Sequence, residues 1–175
     1  MRGTFWLVTW TTHGSWLPGD PRGFQTWRGR EYVPPPKRYA RLGEPTYEAE
    51  PYEGRHAHAK SISGPGVRFY RTECRVSLNA MVEEINGIEV QPRIISVAPT
   101  HVHFIARFGR LEIRPTVKRI KSAATRAMPR FGDGKFPWVR GCHMESLPDD
   151  DALRKAVDYV SKHVLEDAVI YVWPA

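Results

Sequence analysis

The sequence predicts an α+β fold in which one antiparallel sheet carries packed helices. Three observations point there. Thr4–Thr12 (TFWLVTWTT), Arg93–Ala98 (RIISVA) and His101–Phe108 (HVHFIARF) are rich in β-branched and aromatic residues, as pleated strands are. Two later segments repeat apolar residues at helical spacing. Once a long excursion after the first strand is set aside, the elements run β-α-β-β-α-β with one further helix. That is the ferredoxin-like split βαβ order, which buries one sheet face under two helices and leaves the other for a ligand.

The first strand stops at His13-Gly14, and a Pro/Gly/Arg-rich excursion follows to about Gly66. Eight of the fifteen prolines fall there, including Pro34-Pro35-Pro36, so the stretch reads as a loop-rich insertion over 14–66. Its aromatics Trp16, Trp27, Tyr32 and Tyr39 would order it in part. With 175 residues, the chain is expected to form a single domain over 1–175.

From Tyr70 a helical period appears in Cys74, Leu78, Met81, Val82 and Ile85, closed by Asn86-Gly87. Pro99-Thr100 marks a turn between two strands. Ile113, Val117, Ile120, Ala124 and Ala127 form the apolar stripe of a second helix. Phe136–Met144 (FPWVRGCHM) reads as a last core strand. Asp149-Asp150-Asp151 then caps a helix running to about Leu165, and Val169–Val172 adds a short strand.

The formal charge is +7 and the pI about 9.6, which favours an acidic partner, nucleic acid first among them. Cys74 and Cys142 lie outside any C-x-x-C spacing, so a reducing compartment is expected. No stretch approaches membrane-spanning length, and Met1–Gly14 lacks a long apolar region and a cleavage site. A cytoplasmic protein with no membrane partner is the default expectation, although a basic pI alone also fits a plain soluble protein or a membrane-surface binder.

Within the third strand, His101 and His103 project to one face, with Cβ atoms roughly 6.5–7 Å apart. Two imidazoles so placed can converge on one ion. Taken alone, such a pair is more simply two polar residues on a solvated face, and His56-Ala57-His58 in the excursion is read that way. The last helix changes the balance. Leu153, Ala156, Val157, Val160 and Val164 form its apolar stripe. Tyr159 and His163, four residues apart, stack along its flank. Docked through that stripe, the helix would bring both toward His101 and His103. By itself, Tyr159 would pack its ring and send its hydroxyl to water.

These residues resemble a known family. Val97-Ala98-Pro99-Thr100-His101-Val102-His103-Phe104-Ile105 is similar to the His-hydrophobic-His (HUH) motif of the single-tyrosine transposases, the insertion-sequence-type and REP-associated tyrosine transposases. There the motif commonly reads M-P-N-H-V-H-L-L-V. The family's nucleophilic tyrosine sits on a C-terminal helix, often within Y-I-x-x-N-P, and the matching run here is Tyr159-Val160-Ser161-Lys162-His163. The family's third ligand follows four positions later, on His163. Two departures stand out: His163-Val164 replaces Asn-Pro, and compact members lack the insertion. The stretch from Gly14 through Arg22-Gly23 is similar to the start of some larger members. The resemblance covers about residues 70–167 and the first strand.

The resemblance implies a metal-dependent endonuclease and strand transferase acting on single-stranded DNA with a hairpin or palindromic element. Tyr159 would form a 5′-phosphotyrosine intermediate, and His101, His103 and His163 would hold Mg²⁺ or Mn²⁺. By ligand chemistry alone, three imidazoles would favour a softer ion such as Zn²⁺, Ni²⁺ or Mn²⁺. The DNA-binding set comprises Arg107, Arg114, Lys118, Arg119, Lys121 and Arg126, with Trp16 and Arg22 from the excursion. Lys121 sits where the family often has a lysine. Arg110 and Arg130 extend the belt, which is read as adjoining the imidazoles, although a charged helix face is often merely solvated. Trp27 and Trp138 are further stacking candidates, Trp138 better placed in a core. His143 is either peripheral to the site or a polar strand residue. Monomer and homodimer are both compatible. Other readings are a domesticated nuclease of repeated palindromic elements, an inactive nucleic-acid-binding module, and a hydrolase using metal-bound water. Tyr70 and Tyr171 are reserve nucleophiles.

Overall fold

In a computed structural model that describes residues 3–25, 32–34, 50–131 and 136–174, the elements run in the order β1 (Phe5–Thr11), β2 (Phe24–Gln25), β3 (Tyr32–Val33), α1 (Glu50–Ser63), α2 (Arg71–Asn86), β4 (Gln91–Val97), β5 (His101–Arg107), α3 (Ile113–Ala127), β6 (His143–Leu147), α4 (Asp150–Ser161) and β7 (Val169–Val172). Short 3₁₀ turns follow α3 at Pro129–Phe131 and α4 at Lys162–Glu166. The chain divides into two compact units, Met1–Thr12 with Arg68–Ala175, and His13–Val67.

In the first unit, five antiparallel strands stand in the order β6-β1-β5-β4-β7. The first four follow the ferredoxin-like order the sequence predicts, and β7 adds to the β4 edge. Register and alternation sort the side chains onto two faces. Val8, Trp10, Ile95, Val97, Val102 and Phe104 share one face. This face is buried with Cys74, Leu78, Met81 and Ile85 of α2 and Val117, Ile120 and Ala124 of α3. The opposite face is not left open. Leu7, Ile94, Ile105 and Leu147 pack against Ala156 and Val160 of α4, so the apolar stripe of the last helix covers that end of the sheet. Burying a side chain the size of Val160 stabilises by roughly 1.5–3 kcal/mol.

Local signals set the ends of these elements. Asp149 caps α4 by accepting from the Ala152 N–H at 2.8 Å. Pro99 and Thr100 form a two-residue loop, closed by the Ala98 N–H on the His101 carbonyl at 2.9 Å. The helix expected to reach Leu165 ends at Ser161 and tightens into the 3₁₀ turn, a common way to close a last turn. The last core strand is shifted from the predicted Phe136–Met144 to His143–Leu147. Trp138 makes only an isolated bridge to Thr12, and the carbonyls of Val139 and Gly141 turn instead to the Lys121 ammonium, at 3.0 and 2.6 Å.

Of the second unit, residues 13–25, 32–34 and 50–67 are described. Among its described residues, β2 and β3 pair, and α1 forms a helix of fourteen residues. Among its described side chains the half-buried ones are Tyr52, His56, Ala59 and Ser63, a largely polar face without the apolar stripe that reveals a helix in sequence. Gly14, at φ 71°, lets the backbone approach Gly66 so closely that a Cβ would meet its Cα at 2.8 Å. Trp27, Tyr39, Pro35 and Pro36 fall outside the described residues. No helix among the described residues is long and apolar enough to cross a membrane.

Candidate metal centre and tyrosine

Alternation on β5 sends His101 and His103 to the α4 side of the sheet, beside Thr11 and Thr9 of β1. Val102 between them faces the α2 and α3 side and is fully buried, which anchors the pair from behind. The third imidazole arrives from the turn after α4. Asp167 adopts a left-handed conformation at φ 63°, and the Ala168 N–H reaches back to the His163 carbonyl at 3.3 Å, which closes that turn. The three rings converge. Centroids lie 4.9 Å apart for His101 and His103, 5.2 Å for His101 and His163, and 4.5 Å for His103 and His163. One nitrogen from each imidazole lies within 4.8 Å of the other two.

Such a set fits a divalent transition ion. Imidazole nitrogens bind such ions as neutral donors at about 2.0–2.1 Å for zinc, and three leave further positions for oxygen ligands. His103 is held in the neutral form that ligation requires: burial, then repulsion from His101 and His163, pushes it down to about 3. Hydrogen bonds brace the rings. The Thr9 hydroxyl stands 2.8 Å from Nδ1 of His103, the Tyr159 carbonyl 3.1 Å from Nδ1 of His163, and the Thr100 hydroxyl 3.3 Å from Nδ1 of His101.

Tyr159 joins this cluster from the last full turn of α4. Its ring lies 5.4 Å from that of His103 and 4.8 Å from that of His163, edge-on to both, while 51% of the residue stays exposed. A phenol beside three converging imidazoles, partly open to solvent, can meet a ligand bound at the same point. His143 is exposed on β6 in register with Thr9, and Thr9 is in register with His103. Those three residues therefore form one cross-strand row. The other pair, His56 and His58, lies in α1 of the second unit.

The basic residues are placed differently from the imidazoles. Lys121 touches the Trp10 ring at 5.6 Å, and Trp10 belongs to the opposite sheet face, so α3 packs on the far side of the sheet. The expected adjacency of the basic helix and the imidazoles is therefore corrected: the sheet stands between them. Arg114, Lys118, Arg119 and Arg126 are exposed on α3, with Arg119 paired to Glu84. Lys121 departs from the expected surface belt. It is 2% exposed and spends its ammonium on the two carbonyls of the Trp138 segment, and burial pulls its amine down to about 8. Arg107 lies at the far end of β5, about 13 Å along the strand from His103. There it donates to Gln91 at 2.8 Å and covers the Phe5 ring. Arg130 pairs with Glu73 at 3.1 Å and stacks on Phe131. Trp138 is buried, edge-on to Trp10 and Phe69, as a core residue would be.

Trp16 and Arg22 belong to the second unit. Trp16 is 46% exposed and donates through its indole to the Gly23 carbonyl at 2.6 Å. Arg22 grips Asp20 through two nitrogens at 2.9 and 2.7 Å and donates to the Ser15 carbonyl. Burial alone would raise the Asp20 carboxyl, but the Arg22 hydrogen bonds outweigh it and hold it low. Sequence inspection missed Thr9, whose only signal is that it stands across the ladder from a strand histidine. It also misplaced Lys121, although a residue four after Val117 and three before Ala124 belongs on the inner stripe.

No protein-family model matches the chain, and no curated protein matches it. Among solved structures it is similar to a REP-associated tyrosine transposase bound to a REP hairpin. The TM-score is 0.52 at 14% identity, over 94% of this chain and 69% of that one. At this identity the likeness is one of fold alone, an antiparallel sheet with packed helices.

Proposed function

We propose that the chain is a metal-dependent enzyme of the single-tyrosine HUH transposase type, cutting and rejoining single-stranded DNA that carries a hairpin. The observation that carries this is the packing of the Tyr159 ring against two of three converging imidazoles. That arrangement unites a nucleophile and a cation-binding set at one point, which phosphoryl transfer to a protein side chain requires.

In this account the Tyr159 phenol oxygen attacks the scissile phosphorus. The phenol gives up its proton, the bond from phosphorus to the 3′-oxygen breaks, and that oxygen takes up a proton to leave as a hydroxyl, so no net proton is gained or lost. DNA remains joined to Tyr159 through its 5′-phosphate, and the bond energy held there lets a later 3′-hydroxyl rejoin strands without ATP. His101, His103 and His163 would hold Mg²⁺, Mn²⁺ or another transition ion, which when bound supplies positive charge to the phosphoryl oxygens. Exposed Arg114, Lys118, Arg119 and Arg126 of α3 would engage backbone phosphates away from the cut. Trp16 and Arg22 would add contacts from residues 14–66, taken as an insertion within one functional domain. Hairpin DNA as partner draws support from the ligand of the structural neighbour. Free Cys74 and Cys142 suit a reducing compartment such as the cytoplasm.

The test is to incubate a labelled hairpin-bearing single strand with the protein and Mn²⁺ and run a denaturing gel. A protein–DNA adduct is expected, absent with Tyr159→Phe although that variant still binds DNA. Cleavage that survives Tyr159→Phe would instead favour water as the nucleophile.

A further inference from the structure

A ligating imidazole carries its hydrogen on one ring nitrogen and offers a lone pair from the other, and the partner of the first nitrogen decides which is which. For His163 that partner is the Tyr159 carbonyl, 3.1 Å from Nδ1. A carbonyl only accepts, so Nδ1 holds the hydrogen and Nε2 the lone pair. For His103 the partner is the Thr9 hydroxyl, 2.8 Å from Nδ1, and a hydroxyl can accept or donate.

We propose that Thr9 is a positioning residue for His103: its oxygen accepts the Nδ1 hydrogen, fixing the ring and its tautomer so that His103 and His163 both offer Nε2 to one ion. The proposal rests on the assignment of the imidazoles to a metal. Its basis is the one-sidedness of the ladder. His103 is in register with Thr9 on β1 and with Ser96 on β4, so two hydroxyl residues flank it on the same face. Only Thr9 bonds to the ring. The Ser96 hydroxyl is buried and meets no hydrogen-bond partner among the described residues. Valine would satisfy the strand as well as threonine does, so packing alone does not account for the hydroxyl. Thr100 stands 3.3 Å from Nδ1 of His101, a longer contact of the same kind, so all three rings have an oxygen at Nδ1.

The experiment combines two readouts on chelator-treated protein: the His103 tautomer from imidazole ¹⁵N shifts, and the affinity for Mn²⁺ alone by calorimetry. Thr9→Val preserves the shape of the side chain and removes the hydroxyl. It should shift His103 away from the Nδ1–H form and weaken Mn²⁺ uptake by roughly 10–100-fold, the usual effect of losing an outer hydrogen-bond partner. Thr9→Ser should restore both, and Ser96→Ala should leave both as in the parent. Unchanged tautomer or affinity in Thr9→Val, or an equal loss in Ser96→Ala, would overturn the role of Thr9 while leaving the metal assignment in place. A parent protein that takes up no Mn²⁺ would overturn the metal assignment itself, and this role with it.

Discussion

The Tyr159 ring meets the His103 imidazole edge-on, with centroids 5.4 Å apart, although they stand 56 positions apart in sequence. The contact exists because two independent anchors hold: Val102 behind the β5 histidines, and Val160 beneath the last turn of α4. Both are fully buried.

Weakening the second anchor should therefore disturb the site without touching it. Val160→Ala removes two methyl groups beneath α4 and should lower stability by about 2 kcal/mol, measured by urea denaturation. Mn²⁺ uptake should weaken as well, since His163 follows directly on that helix. Full stability in this variant would mean that α4 is not docked through its stripe.

Metal uptake should depend on all three imidazoles. His101→Ala, His103→Ala and His163→Ala should each weaken Mn²⁺ binding in calorimetry, and chelation should abolish adduct formation until ion is returned. An alanine variant that binds as tightly as the parent would remove that residue from the set.

The α3 cations should act on binding rather than on the cut. Arg114→Ala and Lys118→Ala, made in a Tyr159→Phe background, should each reduce the slope of log affinity for hairpin DNA against log salt by about 0.7. In the parent background, the rate of adduct formation at saturating DNA should stay unchanged, because the sheet lies between α3 and the imidazoles. Lys121→Met should leave the salt slope unaltered, since its ammonium is already engaged by carbonyls.

Lys121 should instead appear in the pH dependence of stability. Its amine is held at about 8 in the folded chain against an ordinary 10.5. Between those values the unfolded chain holds a proton that the folded chain has released, so stability gains from rising pH across that window. Denaturation of the parent and of Lys121→Met over about pH 7.5–10.5 checks this. The parent should gain relative to the variant as pH rises, and parallel curves would contradict the burial of this amine.

What could be read from the sequence followed from periodicity. Alternation gave the face shared by His101 and His103, and the stripe of Leu153, Ala156, Val157 and Val160 gave the docking side of α4. Features without an apolar period were hidden. Helix α1 half-buries Tyr52, His56, Ala59 and Ser63, and no hydropathy pattern betrays such a face. The last core strand was misplaced because Phe136–Val139 is as apolar as a strand, while the hydrogen bonds from Lys121 that divert its carbonyls come from a distant helix. Thr9 illustrates a third case: a threonine in a strand is unremarkable until the ladder register sets it across from a histidine.

The claim at the centre of this account is that the phenol of Tyr159 becomes the covalent anchor of the cut strand. Peptide mass spectrometry of the denatured protein–DNA adduct tests it most directly. The account predicts a 5′-linked nucleotide on the peptide containing Tyr159. A nucleotide on Tyr70 or Tyr171, or a strand cut with no nucleotide left on the protein, would contradict it.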